Sequence, residues 1–345
     1  MKTQIMKFTI TCLFSVFLVS ACTSVKNALP VTVPYDQDRF LIITADDFGA
    51  SKNINEGIEL AAEKNAITTI SALTNFSESL PDLKRISEKH PNIGIGAHLN
   101  ITTGRPILDA EQVPSLVNAA GDFYTIDELL SRTGNISHDE LRKELRAQII
   151  ALENYNIRLN HLSDQYGILS LYSPFFDIIL ELATEFNVPV RSPITASSKY
   201  PGLFANSPVN KFRRQTALRF IFSHPFKAIG LIKYTRINEM EKRAKKLHDL
   251  GIFHPDLQIM SFWGDPTADN FLYLMEHLPE GTSEIVLHIG TQTRQENYPR
   301  GLDLSYFRNR EYELITVTSD YLQDYMDYLN IKTIGYGEII KNKSK

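Results

Sequence analysis

The chain has 345 residues, 43% hydrophobic and 22% charged, with 36 Lys and Arg against 40 Asp and Glu and a formal net charge of −4. This globular composition excludes a disordered, collagen-like or polytopic membrane protein, and the balanced charge gives no general case for nucleic-acid binding. The 2 cysteines, Cys12 and Cys22, both fall at the start of the chain, so the body has neither a disulfide scaffold nor a cysteine-ligated zinc site.

The first predicted element is an address. Met1–Ala21 begins with Lys2 and Lys7 and continues into the apolar run Phe8–Val19, too short to favour a spanning helix. It ends in Val19-Ser20-Ala21-Cys22, which resembles the lipobox of bacterial lipoproteins: small residues suit the peptidase at the cut, and the Cys22 thiol accepts the acyl chain. The alternative is an ordinary secretory signal with a chance cysteine. The expected organisation is a signal peptide over 1–21, a polar tether over 22–38 and a folded body over 39–345. The mature protein is expected to be a membrane-anchored lipoprotein, on the periplasmic or outer-membrane side of a bacterial envelope.

In the body, Phe40–Thr44 is a continuous β-rich apolar run, the pattern of a buried parallel strand. Ser51–Lys64 reads as a helix, Thr69–Leu73 and Ile93–Leu99 as strands. Ser137–Asn154 reads as a helix opened by a Ser137/Glu140 capping box. Asn160–Ser163, Val188–Arg191, Gln258–Phe262, Glu284–His288 and Lys332–Ile334 are further strand candidates. Strands spaced by helices predict an α/β protein, here a distorted (β/α) barrel of about seven or eight mainly parallel strands.

Residues 195–248 stand apart. Twelve cations face only Glu239 and Glu241, a net charge of +10, with aromatic and aliphatic residues between them. This predicts a basic helical insertion. It is either a solvated helix with an ordinary buried face or a surface for anionic head groups or glycans.

Polar clusters close four of the predicted strands. Asp46-Asp47-Phe48-Gly49 places two adjacent carboxylates at a strand end, where they repel unless a cation intervenes or one is protonated. A metal with one Asp as ligand and the other as base resolves the conflict; a solvated turn is the plain alternative. His98 ends the third strand, Asn160-His161-Leu162-Ser163-Asp164-Gln165 the fourth, and His288 a late one. In a parallel barrel these C-terminal ends share one face, where active sites form.

The order and spacing of these motifs resemble the YdjC-like carbohydrate deacetylases (the ChbG/HpnK type), here as a lipoprotein variant. The carrying residues are Ala45-Asp46-Asp47-Phe48-Gly49 with Ser51, Asn55, Gly57 and Ile58; Gly96-Ala97-His98 with Thr102; Pro255-Asp256 with Ser261-Phe262-Trp263-Gly264; and Glu284 with His288 and Gly290. The resemblance implies a barrel hydrolase that uses one divalent metal to remove acetyl groups from an N-acetylated amino sugar or oligosaccharide. It makes Asp47 and His98 metal ligands, Asp46 the base, and His288 an acid or oxyanion stabiliser. The third family ligand is the last histidine of H-L-D-S-H, a position filled here by Gln165, with Asp164 or His161 as substitutes. Carboxylate and amide oxygens would favour Mg or Mn over Zn. Arg191 is a candidate to orient the base or substrate, and Tyr166 and Trp263 to stack on a sugar. The alternative function is a catalytically silent glycan-binding lipoprotein on the same fold; a third is a hydrolase of a non-sugar amide. The expected partners are an acetylated glycan and, through the lipid, a membrane, with no nucleic acid and a homodimer left open.

Overall fold

The structure, a computed structural model, describes residues 38–204, 218, 221–223, 231, 233–291 and 304–338. The leader, Cys22 and the tether before Asp38 lie outside the described residues, as do Lys211, Arg213, Arg214, Arg219 and Lys227 of the basic segment.

Among the described residues the apolar runs form seven strands: β1 (Arg39–Phe48), β2 (Thr69–Ala72), β3 (Gly94–Leu99), β4 (Leu159–Asp164), β5 (Leu257–Ile259), β6 (Gly281–Leu287) and β7 (Ile331–Thr333). They pair in the order β4-β3-β2-β1-β6-β5, with β7 also on β1, and every pairing is parallel. β1 is central and buried along almost its whole length, which is why its sequence is an unbroken apolar run rather than an alternating one.

Helices cover the sheet: α1 (Lys52–Glu63), α2 (Leu80–Lys89), α3 (Ile126–Arg132), α4 (His138–Asn154), α5 (Ser173–Phe186), α6 (Ile237–Asp249), α7 (Ala268–Glu276), α8 (Leu304–Val317) and α9 (Asp320–Tyr328). Ser51 caps α1 by accepting from the Ile54 amide, and Ile54, Ile58, Ala61 and Ala62 form its buried stripe. Ser137 caps α4 as expected, but Glu140 accepts from the Ser115 amide instead of its own N-cap. The reciprocal half of that capping box is therefore lost to a tertiary contact; a complete box forms at α3, between Thr125 and Glu128.

Val188–Arg191, expected as a strand, is not one. Pro189 and Pro193 remove ladder donors from this segment. It makes single parallel bridges instead, Val190 to Leu162 and Thr195 to Gln258. The bonds Arg191 N to Leu162 O (2.9 Å) and Gln258 N to Ile194 O (2.8 Å) tie it to β4 and β5. These bridges join the two outer strands and complete the curl of the sheet into the expected distorted barrel. The run expected over Gln258–Phe262 forms a strand only over Leu257–Ile259, because a turn begins at Ser261.

Two close approaches explain motif glycines. A Cβ on Gly57 would sit 2.5 Å from the Gly290 Cα, so α1 packs backbone to backbone on the loop after β6. A Cβ on Gly96 would sit 2.2 Å from the His161 ring, so the small residue on β3 makes room for an imidazole from β4. The described part of the basic segment packs as an amphipathic helix. In α6, Met240, Ala244 and Leu247 are buried and Lys242, Lys245 and Lys246 pair with Glu239, Asp249 and Asp177. Among the described residues no single helix is long and apolar enough to cross a membrane.

Candidate active site

Consecutive strand residues point to opposite faces, yet Asp46 and Asp47 both reach the rim. The β1–β2 register shifts between Ala45 and Phe48, and Asp47 takes φ 71°, a left-handed conformation that costs a non-glycine residue roughly 1–2 kcal/mol. The following turn is held by a bond from the Gly49 amide to Asn55 Oδ1, 2.7 Å, which accounts for Asn55 in the motif. Both carboxylates are buried.

His98, at the end of β3, meets the pair. Its Nε2 lies 3.7 Å from Asp46 Oδ2 and 3.7 Å from Asp47 Oδ1. Its Nδ1 is 2.8 Å from Ser163 Oγ, whose hydroxyl donates to Ser71 Oγ at 3.0 Å. Ser163 therefore accepts from His98 Nδ1–H, and Nε2 is the ring nitrogen turned toward the two acids. Ser71 Oγ in turn lies 3.1 Å from His161 Nε2.

Asp46 is gripped from behind. Arg191 Nη1 and Nη2 donate to its two oxygens at 2.8 and 2.7 Å, while Nε and Nη2 donate to Glu284 at 3.1 and 3.0 Å. Glu284 also accepts from the Tyr336 hydroxyl at 2.8 Å, and Tyr336 stacks on His161 with ring centroids 4.2 Å apart. Burial pushes the Asp46 carboxyl up, but Arg191, followed by His98 and His288, outweighs it and holds the group well below the usual carboxylate range. Asp47 follows the same pattern with Arg310, whose Nη2 donates to Asp47 Oδ2 at 2.6 Å.

The remaining expected residues divide. Arg191 is 4% exposed, and its donors turn inward to Asp46 and Glu284. Its guanidinium fixes the orientation of the Asp46 carboxylate. Asp164 accepts from Leu169 N, Ser170 N and the Ser170 hydroxyl; it caps the turn after β4, and burial raises its carboxyl. His161 lies flat on Tyr336, and burial holds its imidazole well below the usual range. Asp164 is thus engaged by the turn after β4, and His161 by Tyr336 and Ser71. Gln165 is buried and its Oε1 has no hydrogen-bond partner among the described residues. Tyr166 is 65% exposed, with φ 56°. Trp263 is half-buried; its ring lies 4.7 Å from the His288 ring, centroid to centroid, and 5.4 Å from the Arg310 guanidinium carbon.

His288 follows β6. Burial lowers its imidazole to about 4, so it is neutral near pH 7. Its amide donates to Glu313 Oε2 at 2.6 Å. Burial raises the Glu313 carboxyl to about 8, against the bond from His288 and the charge of Arg310. Because the folded value of Glu313 lies above its free value of 4.5, its contribution to stability is full below pH 4.5 and is lost as pH rises to 8. The His288 contribution has the opposite sign and is complete above pH 6.5. Between pH 6.5 and 8, Glu313 should therefore cost the fold about 2 kcal/mol by linkage. Urea unfolding across that window is expected to show the decline in the wild type and to lose it in Glu313→Gln.

Arg310, Glu313, Glu284 and Tyr336 are site residues that sequence reasoning gave no role. Glu284 carried a signal: an acid inside the apolar strand Glu284-Ile285-Val286-Leu287 needs a buried partner.

A parallel α/β barrel with acids, an imidazole and guanidinium groups at the C-terminal ends of its strands belongs to the class of barrels that carry a polar site at the mouth. Residues 40–327 match the model of the YdjC-like proteins. The chain belongs to that family. A carbohydrate deacetylase of Geobacillus stearothermophilus is 27% identical over 307 residues, 88% of this chain and 99% of the relative. One from Brevibacillus brevis is 34% identical over 154 residues, 44% of this chain and 59% of the relative. A crystal structure from Enterococcus faecalis, of a "putative cellobiose-phosphate cleavage protein", superposes with a TM-score of 0.66 at 21% identity, covering 88% of this chain and 99% of that one; it supports the fold.

Proposed function

We propose that the chain is a carbohydrate deacetylase that removes acetyl groups from an N-acetylated amino sugar or oligosaccharide, assisted by one divalent cation. The observation that carries this reading is the convergence of the adjacent strand-end acids Asp46 and Asp47 with His98, distant from them in sequence, whose Nε2 lies 3.7 Å from each carboxylate. The family relatives named carbohydrate deacetylases supply the substrate class.

The donor set fits a cation. A ring nitrogen and a carboxylate oxygen 3.7 Å apart are too far for a hydrogen bond but within the span of two metal–ligand bonds of about 2.0–2.2 Å. Among the described residues no group of three His, Cys, Asp or Glu side chains is placed to hold a metal. The third donor would be the unpartnered Gln165 Oε1, and this oxygen-rich set favours Mg or Mn over Zn. A bound cation would acidify water and polarise the acetyl carbonyl.

Asp46 takes the proton of the attacking water. Arg191 keeps it ionised and oriented; the same grip makes it a weak base, suited to an acidified water. Proton return to the leaving amine is then downhill from so acidic a carboxyl. Neutral His288 donates a hydrogen bond to the developing oxyanion without transferring a proton; of the two roles expected for it, this is the one its low pKa supports. Trp263 and the exposed Tyr166 supply sugar-stacking surfaces. Placement in the envelope through a lipid on Cys22 belongs to the same proposal.

Gln165 favours the silent glycan-binding reading as far as it weakens the cation site. Metal analysis and an acetate-release screen on wild type and Gln165→His decide between the two. The histidine variant is expected to bind Zn about 10–100-fold more tightly, the range typical of changes around metal ligands. Acetate released by the wild type with Mn or Mg supports the enzyme. No release with any metal, alongside retained oligosaccharide affinity, would leave the binding protein.

A further inference from the structure

Arg310 enters the site from α8, remote in sequence from every motif around Asp47. Its side chain is 3% exposed and Nη2 donates to Asp47 Oδ2 at 2.6 Å. The guanidinium carbon lies 5.4 Å from the Trp263 ring centroid, and the backbone carbonyl of Arg310 accepts from the Gly290 amide at 3.3 Å. The guanidinium is thus held by a carboxylate, an indole and the pinning of its helix to the loop after β6. Asp46 is matched by Arg191 in the same way, so both acids at the rim already have a cation. Of Asp47, Oδ1 is the oxygen that faces His98 Nε2, 3.7 Å away.

We propose that Arg310 is a tethered counter-cation that shares Asp47 with an incoming divalent ion and holds down the affinity of the site for it. The inference rests on reading Asp47 and His98 as the cation-binding pair. A guanidinium and a divalent ion on one buried carboxylate repel each other with little screening. The charge-assisted bond to Oδ2 also withdraws donor strength from Oδ1. Gln165, being neutral, brings no charge to offset either effect. The chain therefore carries its own competitor for the metal, and the price of an empty site, two unmatched buried acids, is not incurred.

The test is calorimetric titration of the purified full chain with Mn²⁺ and Zn²⁺, for wild type, Arg310→Gln, Arg310→Lys and Asp47→Asn, with thermal melts to follow folding. Arg310→Gln is expected to tighten Mn²⁺ binding on the order of tenfold or more, Arg310→Lys to stay near wild type, and Asp47→Asn to abolish binding in either background. Arg310→Met, which keeps an aliphatic stem against Trp263, replaces the glutamine variant if that one does not fold. Binding to Arg310→Gln or Arg310→Met that is no tighter than wild type, with Asp47→Asn still abolishing it, overturns the role of Arg310 and leaves the cation pair standing. Binding that survives Asp47→Asn overturns both.

Discussion

Asp46→Asn is expected to lower kcat for acetate release by roughly 10²–10⁴-fold, the range for loss of a general base, while metal content stays at the wild-type level. Both Asp46 oxygens bond to Arg191, so its removal takes away the proton acceptor and spares Asp47 and His98. The size of the loss should be the same from mildly acidic to mildly alkaline pH. Arg191 holds the Asp46 carboxyl well below the usual range, so the acid is ionised throughout and contributes no titration to the profile. His98→Ala should behave differently, losing metal and activity together. Metal retained at full occupancy in His98→Ala would remove the imidazole from the cation pair and leave the proposed chemistry without its second ligand.

The elements that set the barrel are legible because local pattern and tertiary role agree in them. The β1 run is apolar throughout because both faces are covered, and Ser51 and Ser137 mark helix starts with side chains that do cap. The strand-end acids and imidazoles are legible for a related reason: a parallel barrel turns the same end of every strand to one rim, so position in the chain becomes position in space. His98 meets the acids on that logic, but bringing both Asp46 and Asp47 to the rim takes the β1–β2 register shift and the left-handed Asp47 as well. What closes the barrel is only half legible: Val188–Arg191 reads as a strand, but Pro189 and Pro193 remove ladder donors and the segment makes isolated bridges instead. The third family ligand position shows the same limit. Sequence offers Asp164 and His161 beside Gln165, but only the fold shows that one carboxylate caps a turn and the ring stacks on Tyr336. Arg310 is least legible, because an arginine on an amphipathic helix reads as solvated until α8 is placed against the loop after β6.

Glu284→Ala is expected to lower stability by about 3–5 kcal/mol, the cost of breaking a buried ion pair by removing one partner. Glu284 is fully buried and accepts from Arg191 Nε and Nη2 and from the Tyr336 hydroxyl. Alanine leaves that hydroxyl without its acceptor and Arg191 with one acid where it had two. Urea unfolding should show the loss as a shift in midpoint with the slope unchanged. The same substitution frees the guanidinium to turn on its remaining partner, which loosens the orientation of Asp46 without touching substrate. Near neutral pH, kcat should therefore fall while KM stays close to wild type, since the residues proposed to meet the sugar are Tyr166 and Trp263. Glu284→Gln separates the two effects. It keeps an acceptor for Tyr336 and so should recover part of the stability. It removes the second negative charge on Arg191, leaving Asp46 to face the whole cation and weakening it further as a base. A glutamine variant that regains stability yet stays slow would assign Glu284 to the tuning of Asp46. One that regains both would confine it to holding the barrel together.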